Sequence, residues 1–195
     1  MNYLAHLFFA QNNALSKAGN LMGDFTKGID QSALPMDVLK GIQNHRMVDK
    51  FTDNHTAVKN LKPLLSAKRK RFSGIISDVV FDHFLVKHWS KYSDQQFSQF
   101  VQQSYQYLAN AEHLMPEPMH DVVTRMRIDD WLSHYHCIDV TGRAIDSIAR
   151  RIRFENHLAG AIDEVKDNYL AYEQSFLIFF PDLIEKVKFE KIEHY

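Results

Sequence analysis

The sequence predicts an all-α, compact, single-domain protein over residues 1–195, and three observations support this fold class. Only 7 residues are glycine and 5 are proline, so few of the tight turns that join short strands are available. Apolar residues recur mainly three and four positions apart, the spacing of one helix face, and period-two alternation is scarce. The 195 residues also suffice for one domain to bury a substantial core.

The helices predicted in the first half of the chain share this spacing and end at recognisable breakers. In order, they lie around 4–8, around 21–25 with a stop at Gly28, over 35–51, from a cap at Thr52 or Asp53 to about Leu65, and over 73–92. The last of these, SGIISDVVFDHFLVKHWSKY, is apolar on most sides. Its length favours a buried central helix over a strand.

The second half of the chain continues the helical pattern. A capping signal at Ser93 starts the next helix, and the MPEP break at 115–118 ends it. Three further helices are predicted near 119–136, 140–150 and 154–179. Pro181 should then interrupt the chain, because proline inside a helix removes one hydrogen bond. The polar segment 188–195 is predicted to be a frayed tail.

Composition excludes several classes of protein. The 23 Lys and Arg residues nearly balance the 24 Asp and Glu residues, giving a net charge of -1, so no overall charge favours nucleic acid or a membrane. The single Cys137 excludes an internal disulfide and argues against a cysteine-based zinc site. No apolar run approaches the roughly 18 residues of a membrane span, and the first residues lack the positive region of a signal peptide. We therefore expect a cytoplasmic protein.

Five ionisable side chains fall at helical spacing on apolar segments. His6 lies inside LAHLFFA, His45 and Asp49 are four residues apart, and so are Asp78 and Asp82 in the most apolar helix. A buried carboxylate is costly unless it is paired, hydrogen-bonded or bound to a cation. Taken singly, each has a simpler structural explanation: a core histidine, a helix-surface pair, or a pairing of Asp78 with a basic residue such as Lys27 or Arg71.

The stretch NLMGDFTKGI adds Asp24 and Lys27, which share a helix face three residues apart. Alone, this would be an ordinary ion pair near a helix end. Together with the histidines and aspartates, however, Asp24 completes a set of imidazole and carboxylate groups on four predicted helices. Such a mixture suits Mn²⁺ or Mg²⁺, and a mixed site of this kind is what metal-activated hydrolysis requires.

Four blocks in a fixed order identify a family resemblance. They are NYLAHL, GNLMGDFTKG, GIQNHRMVDKFTDNH and DVVFDHFLVKHW, which span roughly the first 90 residues, with weaker matches at RMRIDDWL and FLIFFPDL. In these blocks the chain resembles the acyl carrier protein phosphodiesterases, also called acyl carrier protein hydrolyases. The resemblance implies an all-helical, divergent relative of the HD-domain phosphohydrolases.

The resemblance also implies a metal-ligand set. In HD-domain proteins a leading His is followed by a His-Asp pair and a distal Asp. Here His6 matches the leading His, and Asp24 is present with Gly23 in the place of its paired His. His45 is the candidate to supply the missing imidazole. Asp82 resembles the distal Asp, with Asp78 as its competitor. The metal ligands implied are therefore His6, Asp24, His45 and Asp82.

Further catalytic candidates surround this set. Lys27 and Arg46 are the cations that could offset charge on the phosphoryl oxygens. Asp49 and Asp78 are the additional carboxylates. His83 could protonate the serine leaving group, although it points about 100° away from Asp82 on the helix. A core role for His83 is an equal alternative.

The reaction implied is hydrolysis of the phosphodiester that joins 4'-phosphopantetheine to a serine of holo-acyl carrier protein, with Mn²⁺ favoured and Mg²⁺ possible. The partner would be a small, acidic, helical protein. Its candidate docking residues are Lys68, Arg69, Lys70 and Arg71 in the run AKRKR, with RRIR at 150–153 as the second run. Either run could instead be a solvated face.

Two other functions fit the same residues. An HD-type phosphohydrolase acting on a nucleotide would use the same site chemistry but would need a base-binding pocket. A non-catalytic helical module that binds carrier protein would explain Gly23 as a mark of lost activity. The presence of Asp24, His45 and Asp82 together argues against that module.

Overall fold

The computed structural model describes residues 1–193, and within them it confirms the all-α prediction, with helices and connecting turns but no strand. The α-helices are named in chain order. They are α1 (Tyr3–Phe9), α2 (Ala14–Met22), α3 (Met36–Asn54), α4 (Thr56–Lys59), α5 (Ser73–Lys87), α6 (Phe97–Asn110), α7 (Glu117–Ile128), α8 (Trp131–His134), α9 (Ile138–Arg151), α10 (Ala161–Asp167) and α11 (Tyr169–Glu190).

The centre of the core is helix α5, as its apolar composition predicts. Its side chains from Ile76 to Leu85 are buried on nearly every side. Phe81 packs against Phe176 and Phe179 of α11, with ring centroids 5.6 and 5.4 Å apart. Because α5 is surrounded, any polar group on it must find a partner inside the protein.

Helices α2 and α3 cross with almost no side chain between them. A Cβ atom added to Gly19 would lie 2.4 Å from the Val38 carbonyl oxygen, and one added to Gly41 would lie 2.8 Å from the Gly19 Cα. Glycine at both positions therefore permits direct backbone contact. This contact brings the carboxyl end of α2 against the middle of α3, where His45 lies.

Pro181 does not interrupt the last helix, contrary to the prediction. It lies inside α11, which continues to Glu190. The missing N–H removes a hydrogen bond to the Leu177 carbonyl, but the apolar side chains on both sides, Phe180 and Leu183, are fully buried and hold the helix in place. Residues 188–190, predicted as frayed tail, are helical; residues 194 and 195 lie outside the described residues.

Two predicted helices are each divided in the structure. The segment 119–136 breaks between α7 and α8, where Asp130 adopts a left-handed conformation with φ of 47° and accepts a hydrogen bond from the Tyr105 hydroxyl at 3.0 Å. The segment 154–179 is irregular to Gly160 and then forms α10 and the first part of α11, which meet at Asn168. Neither break contains a proline, the residue from which a helix end is most easily predicted.

The start of α4 also differs from the prediction. His55 caps this helix by accepting a hydrogen bond from the Ala57 N–H at 3.3 Å, whereas Thr52 belongs to α3 and donates its hydroxyl to the Val48 carbonyl. The cap therefore lies later than either Thr52 or Asp53. In the described part of the chain, no helix combines the length and apolar character that a membrane crossing needs.

Candidate metal centre

Three predicted site residues meet where α1 packs against α3. His6 Nε2 lies 3.1 Å from one oxygen of Asp49, and His45 Nε2 lies 3.1 Å from the other. One ligand atom from each of these residues can be chosen so that all three lie within 4.8 Å of one another. The two imidazole rings stack with centroids 3.8 Å apart. We call His6, His45 and Asp49 the three-residue cluster.

His6 is held in place by the buried start of α1. The carboxylate of Asp82 on α5 accepts hydrogen bonds from the Leu4 and Ala5 N–H groups, at 2.9 and 3.1 Å. These two donors have no partner within their own helix, so Asp82 fixes α1 from a distant element. Burial raises the pKa of Asp82 to about 7, against the effect of the two N–H groups. Asp82 is thus joined to α1 rather than to the cluster.

His45 is oriented by the glycine crossing described above. Its Nδ1 donates to the Asn20 carbonyl at 2.7 Å, which leaves Nε2 directed at Asp49 and Asp24. Burial opposes the charged imidazole, but hydrogen bonds to the two carboxylates outweigh it and raise the pKa of His45 to about 9. A backbone carbonyl that fixes the second ring nitrogen is a common arrangement for metal-binding histidines.

Only glycine fits at position 23, because the His45 ring lies against its Cα atom. A Cβ atom at position 23 would lie 2.2 Å from both Cγ and Cδ2 of His45. No side chain can occupy this position while His45 keeps its hydrogen bonds. The imidazole of His45 therefore fills the space beside Gly23 where a side chain at 23 would begin.

Asp24 lies on the open side of the three-residue cluster. It belongs to the turn Gly23–Phe25 that follows α2, and its Oδ1 is 3.4 Å from His45 Nε2. Its side chain is 52% exposed, whereas that of His6 is 1% exposed. Lys27 and Arg46 are both exposed, and within residues 1–193 neither forms an ion pair or hydrogen bond with the cluster.

Asp78 reaches the cluster through the Met1 amino group. This ammonium is buried and lies 2.8 Å from Asp78 and 3.1 Å from Asp49. Burial disfavours the charge, but the two carboxylates overcome it and raise the pKa of the amine to about 11. Burial opposes the ionised form of Asp49 as well, yet hydrogen bonds from His45 and His6 lower its pKa strongly.

His83 lies apart from the other candidates. Its Nδ1 is 2.8 Å from the Tyr135 carbonyl, and its Nε2 is 2.9 Å from the Tyr169 hydroxyl. Burial lowers its pKa. Both ring nitrogens thus have structural partners on the other face of α5.

The donor set of the three-residue cluster fits a divalent cation. Burial lowers the pKa of His6 to about 4, so its imidazole is neutral near pH 7, as a metal ligand must be. The pKa of His45 is raised to about 9 in the metal-free protein, so binding of a cation would have to displace its proton. Two imidazoles and a carboxylate, with a half-exposed second carboxylate beside them, leave positions open for water or substrate. This combination is typical of first-row divalent metals such as Mn²⁺.

The basic run AKRKR is partly tied to the rest of the protein. Arg69 forms an ion pair with Glu164 at 2.6 Å and donates to the His157 and Ala159 carbonyls. Arg71 donates to the Glu155 carbonyl at 3.1 Å. Both arginines therefore hold the irregular segment 152–160, and only Lys68 and Lys70 point freely to the surface.

A cleft opens next to α1, and Arg150 and Arg151 of the second predicted docking run, RRIR, line it. Its volume is about 590 Å³, and Arg125, Arg143, Arg150 and Arg151 are among its lining residues. We call it the arginine cleft. Arg143 was not predicted with them, although Arg143, Arg150 and Arg151 recur at seven and eight residues along α9 and share one face of that helix.

Comparisons with known proteins identify the family of this chain. Residues 1–183 match the family described as acyl carrier protein phosphodiesterase. Proteins of that name from Enterobacter sp. (strain 638) and Serratia proteamaculans (strain 568) are 31% and 32% identical to the chain over 189 residues, covering 96% of this chain and 98% of each relative. The protein of that name from Yersinia pestis is 31% identical over 196 residues, covering 98% of this chain and 100% of the relative.

No solved structure matches the chain. The family match covers residues 1–183, and each of these relatives is matched over nearly its whole length. The chain belongs to the acyl carrier protein phosphodiesterase family.

Proposed function

We propose that this protein is a metal-dependent phosphodiesterase acting on holo-acyl carrier protein. It would cleave the phosphodiester between 4'-phosphopantetheine and the carrier serine, giving apo-carrier and free 4'-phosphopantetheine. The observation that carries the proposal is the three-residue cluster, where two imidazoles and a carboxylate converge beside the exposed Asp24. The names of the full-length relatives supply the substrate class.

His6, His45 and Asp49 would hold the cation, with Asp24 as a further ligand on the open side. When bound, Mn²⁺ or Mg²⁺ supplies Lewis acidity that makes attack of water on phosphorus feasible near neutral pH. The protein's own part is orientation: Asp82 fixes α1 and hence His6, while Asn20 fixes His45. The proposal includes a distant relationship to the HD-domain phosphohydrolases. In this chain the Asp82 carboxylate would then position α1 by accepting hydrogen bonds from its first N–H groups and would not bind the cation.

Exposed cations near Asp24 would complete the site. Lys27 follows Asp24 by three residues, and Arg46 follows His45 directly on α3. Both are exposed and have no partner among the described residues that would hold them away from substrate. A guanidinium can bind two phosphoryl oxygens at once, so Arg46 is the better candidate for the transferred phosphoryl group and Lys27 for the leaving side.

The test is turnover of holo-carrier protein by parent, His45→Gln and His83→Gln enzymes with added Mn²⁺. His45→Gln removes a predicted ligand, and we expect at least about a hundredfold loss of kcat/KM. His83→Gln changes a buried histidine on the other face of α5, and we expect activity close to the parent's. Metal content of the purified proteins should fall only in the first variant.

Chelation followed by re-addition of Mn²⁺ should abolish and restore turnover in the parent. Equal activity of parent and His45→Gln would refute the metal assignment. A nucleotide panel assayed under the same conditions separates the alternative substrate class: rapid nucleotide hydrolysis without holo-carrier cleavage would favour the HD-type nucleotide phosphohydrolase.

A further inference from the structure

The arginine cleft lies between two helices and the start of α1. Arg125 is in the last turn of α7, Arg143 and Arg150 are on α9, and Tyr3 of α1 lines the same cleft. Aromatic and aliphatic side chains such as Trp131 and Ile148 complete the lining. The cleft is therefore a concave surface with an apolar floor and cationic edges.

The charges of the arginine cleft are not neutralised by the protein itself. Four arginines line it against one carboxylate, that of Asp129. Within residues 1–193, none of the four forms an ion pair, although Arg150 donates to the Ser147 hydroxyl at 2.8 Å. Exposed cations of one sign gathered in a concave site raise the local concentration of an anionic partner.

Tyr3 connects this cleft to the candidate metal centre. Burial raises the pKa of the Tyr3 hydroxyl, the charge of Asp24 raises it further and the charge of Arg151 lowers it, so Tyr3 lies between the two groups. Tyr3 is also three residues before His6 on the short helix α1. An anionic molecule held in the cleft would thus lie beside the open side of the three-residue cluster.

A phosphodiester carries one negative charge, which is too little to satisfy four arginines. The remaining cations would suit carboxylates on the small, acidic protein that the resemblance implies as the partner. We infer that the arginine cleft docks an acidic face of the protein substrate around its phosphopantetheine-bearing serine. This inference rests on the proposed function and adds the surface that recognises the partner.

The run AKRKR suits this role less well. Two of its arginines are already engaged with Glu164 and with backbone carbonyls, so a partner would have to compete for them. Two exposed lysines remain there, Lys68 and Lys70. They provide a matched control, because replacing both lysines also removes two positive charges from the protein, but outside the arginine cleft.

The test is binding of fluorescently labelled apo-carrier protein to the parent, to Arg125→Gln/Arg143→Gln and to Lys68→Gln/Lys70→Gln. Arg125 and Arg143 are chosen because their guanidinium groups form no hydrogen bond or ion pair with any described residue. At low salt we expect the arginine variant to bind about tenfold more weakly, with a flatter salt dependence. The lysine variant should bind like the parent.

Hydrolysis of bis(p-nitrophenyl) phosphate with Mn²⁺ should fall far less in the arginine variant than its binding of carrier protein does, because this small diester has no acidic surface to dock. Apo-carrier lacks the diester, so its binding is measured whether or not the protein hydrolyses holo-carrier. Absence of holo-carrier turnover would refute the proposed function. The comparison of apo-carrier binding between parent and variants would still test whether the arginine cleft docks the carrier.

Three results would overturn the docking inference. They are parent-like binding by the arginine variant, equal weakening by the lysine variant, and displacement of the carrier by a short polyuridylate at comparable concentration. If the double arginine variant melts well below the parent, Arg143→Gln alone is measured. The single variant should show the same change in a smaller amount.

Discussion

Two buried polar clusters meet at Asn20, and they differ in one respect. In the first, the Asn20 side-chain amide donates to Glu193 at 3.0 Å and accepts from Asn44 at 2.9 Å, while Ser16 donates to Glu193 at 2.6 Å. In the second, the Asn20 carbonyl orients His45 in the three-residue cluster. Glu193 is 8% exposed, whereas Asp49 and Asp24 are 37% and 52% exposed.

The difference separates a structural network from a candidate site. An amide and a hydroxyl donate hydrogen bonds to the carboxylate of Glu193, so donors inside the protein satisfy this buried group. The carboxylates of the three-residue cluster and of Asp24 remain open on one side. Polar burial alone therefore does not identify a functional site; access from solvent does.

The largest expected effect comes from removing one carboxylate charge in each cluster. Asp49→Asn takes away the group that both histidines contact, and we expect loss of Mn²⁺ binding and at least about a hundredfold loss of kcat/KM. Glu193→Gln keeps its shape and acceptor oxygen, and we expect parent-like turnover. Calorimetric Mn²⁺ titration and holo-carrier assays measure metal binding and turnover in the two variants. Equal loss in Asp49→Asn and Glu193→Gln would contradict the distinction between a candidate site and a structural network.

A smaller effect is expected from filling the space beside His45. Gly23→Ala places a methyl group 2.2 Å from the His45 ring, so the ring must leave its hydrogen bonds, at a cost of about 1–3 kcal/mol in the free energy of unfolding. The control is Gly74→Ala, where the nearest atom would be 3.9 Å away. Urea denaturation should show a loss for the first variant and none for the second.

The double variant Gly23→Ala/His45→Ala sharpens this result. If the clash is the cause, the new methyl group costs little once the ring is gone, so the two substitutions should be strongly non-additive. Additive losses would show that Gly23 matters for another reason.

The last expected effect is a difference in pH dependence. Burial lowers the pKa of Lys17 to about 8 from 10.5, although the charge of Glu193 opposes this. The unfolded chain then binds more protons than the folded protein between about pH 8 and 10.5, so Lys17 makes stability rise with pH across this window. Its destabilising effect is complete below pH 8.

Lys17→Met should remove this rise, which is at most about 1.4 kcal/mol per pH unit. The measurement is the urea midpoint of parent and variant from pH 7.5 to 10, in chelator. His45 has the opposite sign in metal-free protein: its pKa is raised to about 9, so its stabilising effect is present below pH 6.5 and is lost as the pH rises through 9. Parallel curves for parent and variant would contradict the assignment to Lys17.

The all-α class was predictable because apolar spacing along a chain reports helix faces directly. The helix break at Asp130 was not predictable, since this residue adopts its left-handed conformation beside the Tyr105 hydroxyl, which comes from another helix. At Asn168 the side chain donates to the Glu164 carbonyl, a local contact that the spacing of apolar residues does not report. Pro181 was misleading for a related reason: packing of its neighbours outweighs the one lost hydrogen bond.

The candidate site was predictable in part. Spacing places His45 and Asp49 on one face of α3, and the structure brings both to His6. Sequence shows that a carboxylate at position 82 needs a partner, but it cannot say which one. The structure supplies the Leu4 and Ala5 N–H groups, which no spacing along α5 could reveal because they come from another helix.

The crossing of α2 and α3 has a consequence for motion. Because Gly19 and Gly41 bring backbone directly against backbone, no side chain between them can change rotamer and let the helices slide. The geometry that directs His45 is thus fixed by the chain itself, before any cation arrives. Amide hydrogen exchange at the crossing should be as slow as in the core of α5, with or without Mn²⁺, while exchange in the turn that carries Asp24 should slow only when the cation is added.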